Sequence, residues 1–310
     1  MTTRRKIIAG AGAAATAGLG AAIYNIHPPF WQQFARDLTR PVSKPVHQPN
    51  LSAWPETGLH AAWLGHSTVL LNIDGFTILT DPVFSRRAGI GLGLVTLGVK
   101  RMVEPAVALG KLPTVDLILL SHAHMDHFDL PSLRSLESHG TQVVTAWNTS
   151  DLLRADCYQR VREARWGDRI RVGPVEILGL QVNHWGARMR TDTWRGYNGY
   201  LISSGGLRVL FAGDTALTDA FGALRGARDI DLAIMPIGAY NPWIRVHCNP
   251  EQAWRMVNDA GAYHLMPVHH KTFPLGREPY HEPIERLSEA AGAASSRIVM
   301  RDIGEEFHLA

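Results

Sequence analysis

The sequence predicts an α/β (α+β) fold built from two β-sheets with helices outside them. Three observations carry that reading. Short apolar runs separated by turn dipeptides recur through residues 59–310 in two similar halves. A few segments with helix start signals interrupt those runs. The 310 residues are 45% hydrophobic and 19% charged, a balance that suits a globular chain with a sizeable core.

In chain order, Thr3-Arg4-Arg5-Lys6-Ile7-Ile8 comes first, a twin-arginine start ahead of an uncharged Ala/Gly-rich stretch from Ile7 to about Ile26. That basic, then apolar, then small-residue order is the layout of an export signal. The apolar part is weakly hydrophobic, which suits the twin-arginine route better than a stable span. A cut after Ala22 fits the small-x-small rule through Gly20 and Ala22, and an uncleaved signal anchor is the competing reading. Residues 1–26 are therefore expected to engage the twin-arginine export machinery of a bacterium. The body would then lie in the periplasm, or be anchored to the inner membrane facing it. Residues 27–58, rich in proline and aromatics (Pro28, Pro29, Phe30, Trp31, Pro41, Pro45, Pro49, Pro55), read as an extended arm leading to the body.

The body, residues 59–310, alternates β and α signals. Ala61–Leu71 and Phe76–Thr80 read as strands joined at Asp74-Gly75, a type I′ hairpin dipeptide. The glycine-rich segment Arg86–Arg101, apolar with basic ends, reads either as a flexible surface loop or as a contact for an acyl chain or a membrane surface. Val115–Leu120 is a buried strand, and Asp129-Leu130-Pro131 starts a helix running to about Glu137. Gln142–Ala146 returns as a strand. Arg169–Val172 pairs with Val175–Leu180 around Gly173-Pro174, and Tyr200–Ser203 with Leu207–Phe211 around Ser204-Gly205-Gly206. Leu232–Pro236 and Leu265–Val268 are apolar strands. Asn249-Pro250-Glu251-Gln252 combines a cap, a first-turn proline and an acid, starting a helix to about Asp259. Pro283–Ala291 is a further helix, and Arg297–Phe307 a closing strand pair.

Charge argues against a nucleic-acid partner. Of 31 basic and 28 acidic residues, Arg4, Arg5 and Lys6 lie in the export segment, so the rest of the chain carries equal numbers of each sign. No Lys/Arg run interleaved with aromatics is present. Cys157 and Cys248 are too few for a disulfide framework, and two unpaired thiols are favoured over one bridge.

The segment Ser121-His122-Ala123-His124-Met125-Asp126-His127 reads His-x-His-x-Asp-His directly after a strand. Four metal-binding side chains within six residues cannot face one way on a regular element, but they converge on the loop where a strand ends. Imidazole and carboxylate without thiolate suit zinc, with iron or manganese as alternatives. Three further residues stand at strand ends: His184 in Asn183-His184-Trp185, Asp214 in Ala212-Gly213-Asp214-Thr215 and His269 in Val268-His269-His270. One such residue alone is usually a packed or surface side chain. All three at the same topological place, together with the loop, point to a metal site.

On these residues the chain resembles the metallo-β-lactamase fold, a four-layer αββα sandwich with a dinuclear site at its rim. Within it the chain resembles the N-acyl-phosphatidylethanolamine-hydrolysing phospholipase D branch. The resemblance is carried by Leu64–Val69, Thr80–Ser85, the His-rich loop, Asn183–Trp185, Phe211–Thr215, Pro236–Tyr240 and His269–Phe273. It implies that His122, His124 and His184 hold one metal ion, that Asp126, His127 and His269 hold the second, and that Asp214 bridges both. Two dications so placed lower the pKa of a water between them, and Asp126 is placed both to ligate and to orient the resulting hydroxide. Asp81 and His66 are expected to support the ligands by hydrogen bonding; for His66 the competing reading is a satisfied core histidine. His247, Tyr240, Trp243 and Trp185 are candidates to line the substrate pocket, with ordinary packing as the alternative for the three aromatics. The chain departs from the mammalian enzymes at His270-Lys271, where they carry Trp-Gly. The expected activity is phospholipase D-type hydrolysis of a phosphodiester in N-acyl-phosphatidylethanolamine or a related phospholipid. Alternatives are a lactonase, esterase or amidase of the same fold, or a non-catalytic metal-binding envelope protein.

Overall fold

The computed structural model describes residues 28–92, 95–189, 191–226 and 229–310. The export signal expected over residues 1–26 lies outside them. Among the described residues no helix is long and apolar enough to cross a membrane.

In chain order the strands are β1 (Leu59–Gly65), β2 (Thr68–Ile73), β3 (Phe76–Thr80), β4 (Arg87–Leu92), β5 (Val95–Lys100), β6 (Leu117–Leu120), β7 (Gln142–Ala146) and β8 (Arg160–Ala164). They continue as β9 (Arg169–Val172), β10 (Val175–Leu180), β11 (Gly199–Ser204), β12 (Leu207–Phe211), β13 (Ile230–Pro236), β14 (Ala262–Val268) and β15 (Glu306–Leu309). The helices are α1 (Pro28–Thr39), α2 (Leu130–Ser135), the single turn α3 (Tyr240–Trp243), α4 (Pro250–Ala260) and α5 (Glu282–Ala291). A seven-stranded sheet, ordered β15-β1-β2-β3-β6-β7-β8, stacks on a six-stranded sheet, ordered β14-β13-β12-β11-β10-β9. β4 and β5 form a separate hairpin.

Strand β13 shows how the sequence makes the layers. With parallel neighbours β12 and β14 on either side, it is apolar on both faces. Leu232 and Ile234 point into the core between the sheets, whereas Ala233 and Met235 face the helical layer. Helix α4 covers that outer face with Ala253, Met256, Val257 and Ala260, one stripe at helical spacing. Its start is a full capping box: Asn249 accepts from the Gln252 N–H and the Gln252 side chain accepts from the Asn249 N–H. Gly261, at φ +73°, ends it.

Four expectations need correction. The apolar run Ala61–Leu71 is two strands, because Gly65 and His66 take positive φ (120° and 54°) and turn the chain between β1 and β2. The arm over residues 27–58 is not extended throughout. Residues Pro28–Thr39 form α1, whose buried Asp37 accepts from the Lys100 backbone N–H (2.7 Å) and pairs with Arg40 (2.9 Å), latching the helix to β5. The glycine-rich segment is a regular hairpin, with Gly89 opposite Gly98 where a side chain on either would strike the other strand. The closing strand pair over Arg297–Phe307 is a 3₁₀ segment ending at Arg297 and then the single strand β15, which pairs with β1. Strand β8, charged and half-exposed, stands beyond the strands that the apolar pattern predicts. Both cysteines are free.

This topology sets the site. Strands β3, β6, β10, β12 and β14 all end at one rim, because β3 is parallel to β6, β12 to β13 and β14, and β10 is antiparallel to β11, itself antiparallel to β12. Asp81, His122, His184, Asp214 and His269 follow those ends, and the β1–β2 turn brings His66 to the same rim.

Candidate metal centre

Two donor groups meet at this rim. His122, His124, His184 and Asp214 form one, and His66, Asp126, His127 and His269 the other, each with ligand atoms within 4.8 Å of one another. The Oδ2 of Asp214 is common ground. It lies 3.1 Å from His127 Nε2, 3.2 Å from His269 Nε2, 3.8 Å from His184 Nε2 and 3.9 Å from His122 Nε2. Gly213 makes this placement feasible: at φ +59° a Cβ there would come within 2.7 Å of the Ser121 side chain. His66, Asp81 and His269 also hold positive φ (54°, 31° and 62°), so backbone strain concentrates at the rim.

Hydrogen bonds from outside the groups fix which imidazole nitrogen faces inward. Asp81, fully buried, accepts from His127 Nδ1 (2.7 Å) and from the Ser121 hydroxyl (2.5 Å) and N–H (2.7 Å). With its proton given to Asp81, the Ser121 oxygen accepts from His122 Nδ1 (2.9 Å). One carboxylate thereby sets the tautomer of an imidazole in each group, leaving Nε2 of His122 and His127 as inward lone pairs. His184 Nδ1 donates to Val246 O (2.7 Å) with the same result. Ser121 went unassigned in the sequence because a serine beside a metal motif carries no signal until its hydroxyl is seen to face Asp81.

The electrostatics separate the two groups. Burial, the largest influence, pulls His122 well below the usual histidine range, His124 down to about 4 and His184 to about 3. These are neutral donors. For His127 and His269 burial acts in the same sense, but Asp214 and Asp126 outweigh it and raise both, His269 to about 9. Burial would lift the two carboxylates, yet His127, His269 and other facing imidazoles hold Asp126 and Asp214 well below the carboxylate range. Asp126 and Asp214 therefore stay ionised and draw a cation, a proton or a metal ion, to the His127 and His269 nitrogens that face them.

A metal pair fits these residues. The Nε2 lone pairs of His122 and His184 lie 2.8 and 3.2 Å from Nδ1 of His124, and a proton on His124 satisfies at most one of them. His127 Nε2, His269 Nε2 and Asp214 Oδ1 are buried without a hydrogen-bond partner. Cations answer both demands, and the oxygen and nitrogen donor set suits zinc, iron or manganese.

Of the other candidates, His66 Nε2 is 2.9 Å from Asp126 Oδ2, holding that carboxylate in place. His247 Nδ1 stands 3.8 Å from Asp214 Oδ2. Trp185 is 48% exposed, with its ring 4.5 Å from that of His124. Trp243 is exposed and joins the site through its carbonyl, which accepts from the His247 N–H (2.9 Å). Tyr240 is not brought to the cluster: it is buried, its hydroxyl donates to Glu282 (2.7 Å) and Arg286 lies over its ring. The sequence run Pro236–Tyr240 gave no sign of that turn towards α5.

Known proteins resemble this chain in sequence and in fold. Residues 77–270 match the Beta-lactamase superfamily domain. An uncharacterized protein of Mycobacterium tuberculosis is 34% identical over 273 residues, spanning 84% of this chain and 72% of its own. The N-acyl-phosphatidylethanolamine-hydrolyzing phospholipase D 1 of Caenorhabditis elegans is 32% identical over 286 residues, spanning 84% and 79%. The structure of Igni18, a metallo hydrolase from Ignicoccus hospitalis, superposes with a TM-score of 0.61 at 21% identity over 82% of this chain and 99% of that one, a likeness of fold. Matched span, relatives and architecture agree: the chain belongs to the beta-lactamase superfamily, as a metallo-hydrolase of the metallo-β-lactamase fold.

Proposed function

We propose that the protein is an exported hydrolase, loaded with two zinc ions, that cleaves a phosphodiester in an N-acylated phosphatidylethanolamine or a related phospholipid. The observation that carries this reading is Asp214 Oδ2, shared at 3.1–3.9 Å by imidazoles of both donor groups. The activity named for the C. elegans relative supports the choice of bond. His122, His124 and His184 would hold one ion and Asp126, His127 and His269 the other, with Asp214 facing both groups. Ions bound there supply a water of lowered pKa and positive charge for the phosphoryl oxygens.

The chain's own groups do the rest. Asp126, ionised and held by His66, orients the attacking water by accepting its hydrogen bond. Asp81 keeps His127 and, through Ser121, His122 in their donor tautomers. His247 stands where it can donate to a phosphoryl oxygen, and Trp185 offers an apolar wall beside His124. Export to the periplasm rests on Arg4 and Arg5 ahead of the Ala/Gly-rich stretch.

Purified enzyme assayed on a chromogenic phosphodiester and on a lactone tests the bond, and a phospholipid panel with mass-spectrometric products tests the substrate. Phosphodiester turnover with a phosphatidic acid product is expected. Turnover of the lactone alone would overturn the reading in favour of carbonyl chemistry.

A further inference from the structure

Helix and strand positions bring the ligands to one rim, but the six-residue loop His122–His127 has to be held in shape by contacts of its own. Within it, His127 N and Phe128 N both donate to His124 O (3.1 and 2.7 Å), which closes one turn. The carbonyls at either side of that turn point elsewhere. Ala123 O accepts from Arg188 Nη1 at 3.0 Å, and Phe128 O accepts from the same nitrogen at 2.8 Å. Both Ala123 and Phe128 are fully buried, so their carbonyls have no water to turn to. Arg188 follows His184 by four residues on the segment that leaves β10. Its guanidinium is partly buried, lies 6.0 Å from the Phe128 ring centre and is drawn below the usual arginine range by desolvation.

We infer that Arg188 is a positioning residue, tying the His122–His127 loop to the His184 segment so that ligands from separate strands keep one geometry. This inference rests on the metal-centre reading. It deepens it by naming what sets the spacing between His184 and the loop. A single nitrogen makes both bonds, so the role asks for two hydrogens on one cationic atom and not for the flat fork of a guanidinium. Lysine, with three hydrogens on one nitrogen, therefore meets the chemical demand, and methionine, of similar bulk, does not.

The test compares wild type, Arg188→Met and Arg188→Lys as full-length protein. Zinc affinity is measured by competition with a chromophoric chelator, ligand geometry by the visible spectrum of the cobalt-substituted protein, and melting temperature in the metal-free state. Support of ligands from outside the metal's own contacts is typically worth ten- to a hundred-fold in affinity. Arg188→Met is expected to lose roughly that much and to change the cobalt spectrum. Arg188→Lys should recover most of both and melt close to wild type without metal, whereas metal-free Arg188→Met melts lower because two buried carbonyls lose their donor. Zinc affinity and cobalt spectrum unchanged in Arg188→Met would overturn the inference. So would an equal loss in both variants that tracks a fall in metal-free melting temperature, since that marks a general structural role. Wild type that takes up no zinc or cobalt would instead overturn the metal-centre reading itself.

Discussion

Asp126 and Asp214 occupy similar places but are held differently, and that difference assigns their work. Asp214 is almost fully buried and surrounded by five imidazoles, whereas the Asp126 side chain keeps 16% of its surface exposed and is steadied by His66. Asp126 is therefore the carboxylate that reaches water. Asp126→Asn keeps the shape and removes the charge. Turnover of the metal-loaded variant should fall by about 10²- to 10⁴-fold, the usual worth of a positioned acid–base group, while the melting temperature moves little. Steady-state kinetics at measured metal occupancy check this, and unchanged turnover at full occupancy would remove Asp126 from the chemistry. The seven clustered donors were legible in the sequence because each follows an apolar strand. Ser121 and Arg188 were not, since their roles depend on which carboxylate and which carbonyls they meet across the fold.

Among the elements, α4 connects stability to the site. Its cap, Asn249, lies two residues after His247, and the capping box fixes how the chain enters the helix. Asn249→Ala should cost about 1 kcal/mol, within the 0.5–2 kcal/mol range of lost N-caps. A lowered urea midpoint at unchanged slope is the expected reading, and a midpoint equal to wild type would mean that the cap does not hold the helix. This helix was readable from four residues because cap, first-turn proline and acid are local signals. Helix α1 was hidden by its prolines, which read as an extended arm although Pro28 and Pro29 sit in a tolerated first turn. The β4–β5 hairpin was hidden by its glycines, which serve a close cross-strand approach and not flexibility. Strand β8 carries Arg160, Arg162 and Glu163 at an exposed sheet edge, where apolar alternation is not required.

Taken as one molecule, the protein brings its candidate ligands together from across 148 positions of chain, His122 to His269, at one edge of two stacked sheets. Such a site exists only after folding, so tight metal binding and folding are coupled. The proposed export of a folded, loaded body through the twin-arginine route meets that requirement. Replacing Arg4 and Arg5 together by lysine preserves charge and removes the recognised pair. The double variant should remain in the cytoplasm as active enzyme, and fractionation that finds it exported at the normal level would assign the segment to another route. The central claim is the metal pair itself, and elemental analysis of active protein tests it most directly. The account predicts two transition-metal ions per chain, fewer in His122→Ala and His184→Ala, with hydrolysis lost alongside the metal. Active protein that contains no transition metal would contradict it.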